Sequence, residues 1–76
     1  MRTERFKMER TGLLEVGDVL TVKEYSLPNS YYYMLGHAYA MSANYSTQER
    51  IVSTEGKVVS IEKTEKGYYV DVELNE

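Results

Sequence analysis

Gly56-Lys57-Val58-Val59-Ser60-Ile61-Glu62-Lys63-Thr64-Glu65-Lys66-Gly67-Tyr68-Tyr69-Val70-Asp71-Val72-Glu73-Leu74 is the stretch that decides the fold. Its second half alternates without a break: Tyr68, Val70, Val72 and Leu74 fall on one side, Tyr69, Asp71 and Glu73 on the other. A repeat of two is the pattern of a strand with one face buried and one wet. In the first half Val59 and Ile61 share a side, with Ser60 and Glu62 opposite them. Thr64-Glu65-Lys66-Gly67 suits a four-residue hairpin loop whose last residue needs a positive φ, which glycine adopts without a Cβ clash. That loop sets Lys63 opposite Tyr68, Ile61 opposite Val70 and Val59 opposite Val72. A slip of one residue would put Val70 against Glu62 and exchange the faces, so this register is the expected one.

Upstream, Gly17-Asp18 introduces Val19-Leu20-Thr21-Val22-Lys23-Glu24-Tyr25, a second strand with Leu20 and Val22 on one side. Pro28 ends it, because proline cannot donate to a ladder and biases Leu27 toward extended backbone. Gly12-Leu13-Leu14-Glu15-Val16-Gly17-Asp18 reads as a turn carrying apolar anchors. In residues 1–11, Phe6 and Met8 alternate with Arg5, Lys7 and Glu9; a short edge strand and a frayed arm are both open readings.

Between Asn29 and Gln48 lie five of the eight tyrosines. Tyr31 to Tyr45 contains no Asp, Glu, Lys or Arg. A strand or extended arm over about 31–35, followed by an irregular or briefly helical return, is expected, with Gly36 at the break. Ser46-Thr47-Gln48-Glu49 has the form of a capping box. Arg50-Ile51-Val52-Ser53 after it looks extended, so a strand from Glu49 with Ile51 buried is expected instead. Gly56 marks a bulge or bend in that strand.

Two fragments carry a resemblance. Val16-Gly17-Asp18-Val19-Leu20-Thr21-Val22 is similar to the opening turn and strand of many SH3-like barrels, including KOW modules. Gly56-Lys57-Val58-Val59-Ser60-Ile61 with Val70-Asp71-Val72-Glu73 resembles the glycine-led strand of those modules and its partner. The likeness covers about a third of the chain. It implies an all-β fold: a small SH3-like barrel with a long tyrosine-rich loop between the first strand and the later strands. The two glycine-led strands stand further apart here than in KOW modules. The basic residues through which those modules meet RNA are not concentrated in this chain. The expected organisation is a basic arm over residues 1–11 and one barrel domain over 12–76.

Seventy-six residues bury only about 60% of their unfolded surface, and no cysteine is present to staple them. No apolar run has the length of a membrane span and no signal-peptide core is visible, so a cytoplasmic protein without membrane contact is expected. Net charge is −3, which gives nucleic acid no general attraction. Residues 1–10 nevertheless carry a net +2 from Arg2, Arg5, Lys7 and Arg10 against Glu4 and Glu9. The plain reading is a solvated arm; the sharper one is an arm that touches phosphate.

Catalytic chemistry finds no constellation. His37 is the single histidine, and Ser30 and Ser42 sit in no nucleophile-elbow context. Glu62, Asp71 and Glu73 share an expected sheet face, and the wet side of a half-buried sheet commonly looks like this; no metal or cofactor is expected from them. The tyrosines stand out. A tyrosine has a large apolar body with a polar tip, suited both to closing a barrel end in a small core and to contact surfaces. The expectation is a non-catalytic binding or adaptor module. Its partner, another protein or a second copy of the chain, would meet Tyr31, Tyr32, Tyr33, Tyr39 and Tyr45. The alternative is a nucleic-acid-binding module in which bases stack on the aromatics and Arg2, Arg5, Lys7 and Arg10 take phosphate.

Overall fold

Val70, Val72 and Leu74 point into a buried core, as their alternation requires, from the last strand of a closed antiparallel barrel. The computed structural model describes residues 1–8 and 12–76. Among these residues six strands are formed: β1 (Arg2–Met8), β2 (Val19–Ser26), β3 (Tyr31–Leu35), β4 (Ala40–Ser42), β5 (Glu55–Thr64) and β6 (Gly67–Leu74). Around the barrel they run β1-β4-β3-β2-β5-β6, with β6 returning to β1. An all-β barrel is thus present, consistent with the SH3-like expectation.

The hairpin register is the expected one near the turn and departs from it further in. Lys63 lies opposite Tyr68 and Ile61 opposite Val70, but Val72 faces Val58 rather than Val59. A bulge between Val58 and Ser60 makes Val59 the extra residue. The cause lies at Gly56. Its backbone faces the barrel interior so closely that a Cβ there would run into Val72, Leu74 and Val22. With Gly56 inward, Val58 is inward too and is fully buried, while Val59 is left 38% exposed. The bulge then resets the alternation, so that Ser60 pairs with Asp71 on the outer face.

Residues 2–8 are barrel, not arm. Phe6 and Met8 are buried, and β1 pairs with β6 from Arg2 to Met8 and with β4 over Phe6, Lys7 and Met8, so both its edges are paired at that end. The domain therefore takes in the part of the N-terminus that a frayed arm would have left out. The tyrosine-rich segment supplies β3 and β4, joined by a turn in which Gly36 and Ala38 both take left-handed backbone (φ 60° and 62°). The long connection comes later, over 43–54, and holds a short 3-10 turn, Thr47–Glu49. Here the capping pattern prevails over the expected strand: the Ser46 backbone N–H and hydroxyl both donate to Oε1 of Glu49. Ile51 is buried as expected, from irregular backbone. Leu14, an anchor of the Gly12–Asp18 turn, also reaches the core.

Candidate functional site

The five tyrosines named from the sequence separate into different environments. Tyr33 is 1% exposed and belongs to the core, so it meets no partner. Tyr31, Tyr39 and Tyr45 are half-buried and pack against that core. Tyr31 and Tyr45 are bridged through their backbones, N to O at 2.9 and 2.7 Å. Tyr33 donates its phenol proton to Glu24 (2.8 Å) and accepts the backbone N–H of Ile51 (2.9 Å). Tyr45 donates to Glu4 at 2.7 Å. With Arg50 lying 4.3 Å over the Tyr31 ring, these bonds draw the 43–54 connection across one end of the barrel and close it. Burial first, then donation to a carboxylate, pushes both the Tyr33 and Tyr45 phenols up from the ordinary phenol value. Three of the five tyrosines thus build the lid of the barrel. Only Tyr32 stands on the outer face.

The basic residues named for phosphate are largely spent. The Arg2 guanidinium reaches Glu4 (2.7 Å) and Glu76 (3.0 Å) and also donates to the carbonyls of Glu49 and Arg50. Arg5 forks onto Asp71 at 3.0 and 3.3 Å and onto Glu62 at 3.0 Å. Arg10 lies outside the described residues. Lys7 alone of the set makes no ion pair among the described residues.

The register does assemble another surface, which the sequence did not announce. Directly opposed residues on successive strands share a face, so the pairings can be followed around the outside of the barrel. Lys23 lies opposite Met34, Met34 opposite Met41, Met41 opposite Lys7 and Lys7 opposite Tyr69. One row thus crosses β2, β3, β4, β1 and β6, apolar in the middle and cationic on both sides of the methionines. Met41 is 47% exposed. Beside this row Tyr25 and Tyr32 stack at 5.1 Å with their planes 11° apart, and Lys23 lies 5.4 Å from the Tyr25 ring centre. A shallow depression next to Met41 is bounded by Arg5, Lys7, Ala43 and Tyr69. Neither Lys7 nor Lys23 has a carboxylate in ion-pair range among the described residues. The signal available in the sequence was the period of two in 31–35 and 68–74. It marks Tyr32, Met34 and Tyr69 as outward but does not say which neighbours they acquire.

The remaining candidates disperse. His37 is exposed in the β3–β4 turn, edge-on to Tyr39. Glu62 and Asp71 are both taken by Arg5, and Glu73 lies opposite Lys57. Arg5 first, then Ser60, holds the Asp71 carboxyl below the usual range. No group of acids and histidine suited to a metal ion occurs among the described residues. Nor, among them, is any helix long and apolar enough to cross a membrane. Comparison with protein-family models, with curated proteins and with solved structures finds no match to this chain.

Proposed function

We propose that this barrel is a non-catalytic binding module whose outer β2–β3–β4–β1–β6 face takes a protein partner. The partner presents an extended segment with apolar side chains flanked by carboxylates. The observation that supports this is the single row Lys23–Met34–Met41–Lys7–Tyr69. Methionine is soft and unbranched and adapts to varied apolar groups, and aromatic rings add contact area at low entropic cost. Lysines with no carboxylate in ion-pair range among the described residues stand on either side of the apolar pair; they match acidic residues on the incoming chain and steer its approach. A nucleic-acid ligand is less well supported, because Arg2 and Arg5 are held by carboxylates and carbonyls and the net charge is −3.

The test is a titration with three probes: a peptide alternating Glu with Phe and Leu, the same peptide with Lys in place of Glu, and a short oligothymidylate. The acidic peptide is expected to bind alone, with affinity lowered roughly ten-fold by Met41→Glu or by Lys7→Glu. Binding of the oligothymidylate and not of the acidic peptide would transfer the face to the nucleic-acid reading. Binding of neither would remove it.

A further inference from the structure

The barrel is closed, but β5 outruns the strand beside it. It pairs with β2 only over Glu55–Lys57. Val58 makes the last bonds on that side, donating to the Asp18 carbonyl (2.9 Å) and accepting the Gly17 N–H (2.8 Å). From Val59 to Thr64, among the described residues, β5 has β6 on one side and no strand or backbone bond on the other. Aliphatic side chains are left uncovered along this stretch. Ile61 faces the core side, opposite Val70, yet is 39% exposed, and Val59 is exposed to nearly the same degree. Val16, next in the chain to the Gly17 that bonds Val58, is 62% exposed.

An open edge of this kind is ordinarily guarded by charge, proline or a bulge. Here the guards are weak. Proline is absent, and the bulge sits at the first free residue, leaving Ser60 to Thr64 in regular pairing with β6. The two charges lean away from the edge: Glu62 is drawn across β6 to Arg5 (3.0 Å), and the Lys63 ammonium rests 5.7 Å from the Tyr68 ring centre.

We propose that a second copy of this chain pairs with this edge, β5 against β5, antiparallel about a two-fold axis at Ile61. Antiparallel pairing of identical strands is self-complementary, which is what a two-fold dimer requires. Charge selects the axis. Centred on Ile61, the pairing sets Ile61 against Ile61, Ser60 against Glu62 and Val59 against the stem of Lys63, with no like charges opposed. Centred on Glu62 it would set carboxylate against carboxylate, which is destabilising. Centred on Ser60 it would run into Val58, whose outward groups already bond Gly17 and Asp18. The paired segment is short and each copy carries a net −3, so association is weak and is strengthened by salt, which screens the repulsion. Binding of an acidic peptide to the lysine-flanked outer face responds to salt in the opposite sense, so the two readings fail separately.

The chain has no cysteine, which makes cross-linking a clean test. Residues facing each other across an antiparallel pair lie about 4.5–5.5 Å apart, within disulfide reach. Under mild oxidation Ile61→Cys is expected to form a covalent dimer roughly ten-fold faster than the surface control Val52→Cys, although Val52 is the more exposed of the two (77% against 39%). Sedimentation of the unmodified protein is expected to show mass rising with concentration, more so at high salt. Should Ile61→Cys fold poorly, a mixture of Val59→Cys and Lys63→Cys chains gives the same reading by forming the mixed dimer. A monomer at every concentration and salt, or cross-linking of Ile61→Cys no faster than the control, overturns the proposal. Faster cross-linking through Met41→Cys than through Ile61→Cys does so as well.

Discussion

The phenol of Tyr33 donates to Glu24 across 2.8 Å while accepting the backbone N–H of Ile51 at 2.9 Å, so one buried hydroxyl ties β2, β3 and the long connection together. Arg50 donates to both oxygens of Glu24, at 2.6 Å to Oε1 and 3.1 Å to the Oε2 that Tyr33 also meets. Removing the hydroxyl strands the Ile51 N–H in a buried site. Tyr33→Phe is therefore expected to destabilise by about 1–3 kcal/mol, read as a lower urea midpoint. Tyr32→Phe, on the outer face, should stay within about 0.5 kcal/mol of the parent.

Acid should loosen the same architecture. Arg50 first, then Tyr33, holds the Glu24 carboxyl below its ordinary value; Arg5 first, then Ser60, does so for Asp71. At Glu76 burial pushes upward, but the N–H groups of Val52 and Ser53, the Ser53 hydroxyl and Arg2 together hold the carboxyl down. A depressed carboxyl takes up its proton at higher pH in the unfolded chain than in the folded one. These groups thus stabilise the fold above the ordinary carboxylate value of about 4. That contribution is lost as pH falls through the depressed values. Melting temperature is expected to drop on acidification, with a shallower slope in Arg5→Gln.

Alkali acts through the lid tyrosines with the opposite sign. Burial and donation to Glu24 or Glu4 raise the Tyr33 and Tyr45 phenols in the fold, so their contribution is intact below the ordinary phenol value of about 10. It is lost as pH climbs through the raised values. Absorbance titration of tyrosinate is expected to show a late component coinciding with loss of circular dichroism. Tyr45→Phe should shrink that component. Its persistence unchanged in a Tyr33→Phe, Tyr45→Phe double variant would contradict the assignment.

Two glycines matter for different reasons. At Gly56 the interior has no room for a methyl group, so Gly56→Ala must displace Val72 or shift the strand, costing about 1–3 kcal/mol. At Gly67 space is less tight, the nearest atom to a Cβ being Lys7 Cε at 3.2 Å, but φ is 135°. Gly67→Ala is expected to cost about 1 kcal/mol through backbone strain. Denaturant unfolding of the two variants should rank them in that order.

The sequence makes legible whatever depends on alternation within one strand: β6, the buried side of β2, the strand over 31–35, and the register beside the hairpin turn, although Thr64 pairs with Gly67 and the loop is Glu65-Lys66 alone rather than four residues. It does not say which of the adjacent valines Val58 and Val59 faces in. That choice is made by the crowding of Gly56 against Val72 and Leu74, two strands' worth of chain away. Phe6 and Met8 alternate as a barrel strand should, but the charged residues between them read equally well as a frayed arm. Only the pairing with β4 and β6 separates the two. Tyr31, Tyr33 and Tyr45 look like contact residues for the same property that makes them lid residues, an apolar ring with a polar tip. The row of Lys23, Met34, Met41, Lys7 and Tyr69 exists only once five strands are in register.

The most direct test of that row is a methyl-detected NMR titration of methionine-labelled protein with the acidic, apolar peptide. The chain has four methionines, one buried, one at the N-terminus and two in the row. The Met34 and Met41 methyls are expected to move together and to saturate, with Met8 following weakly and Met1 still. Movement of Met1 alone, or no movement of Met34 and Met41 at peptide excess, would contradict the proposed binding face.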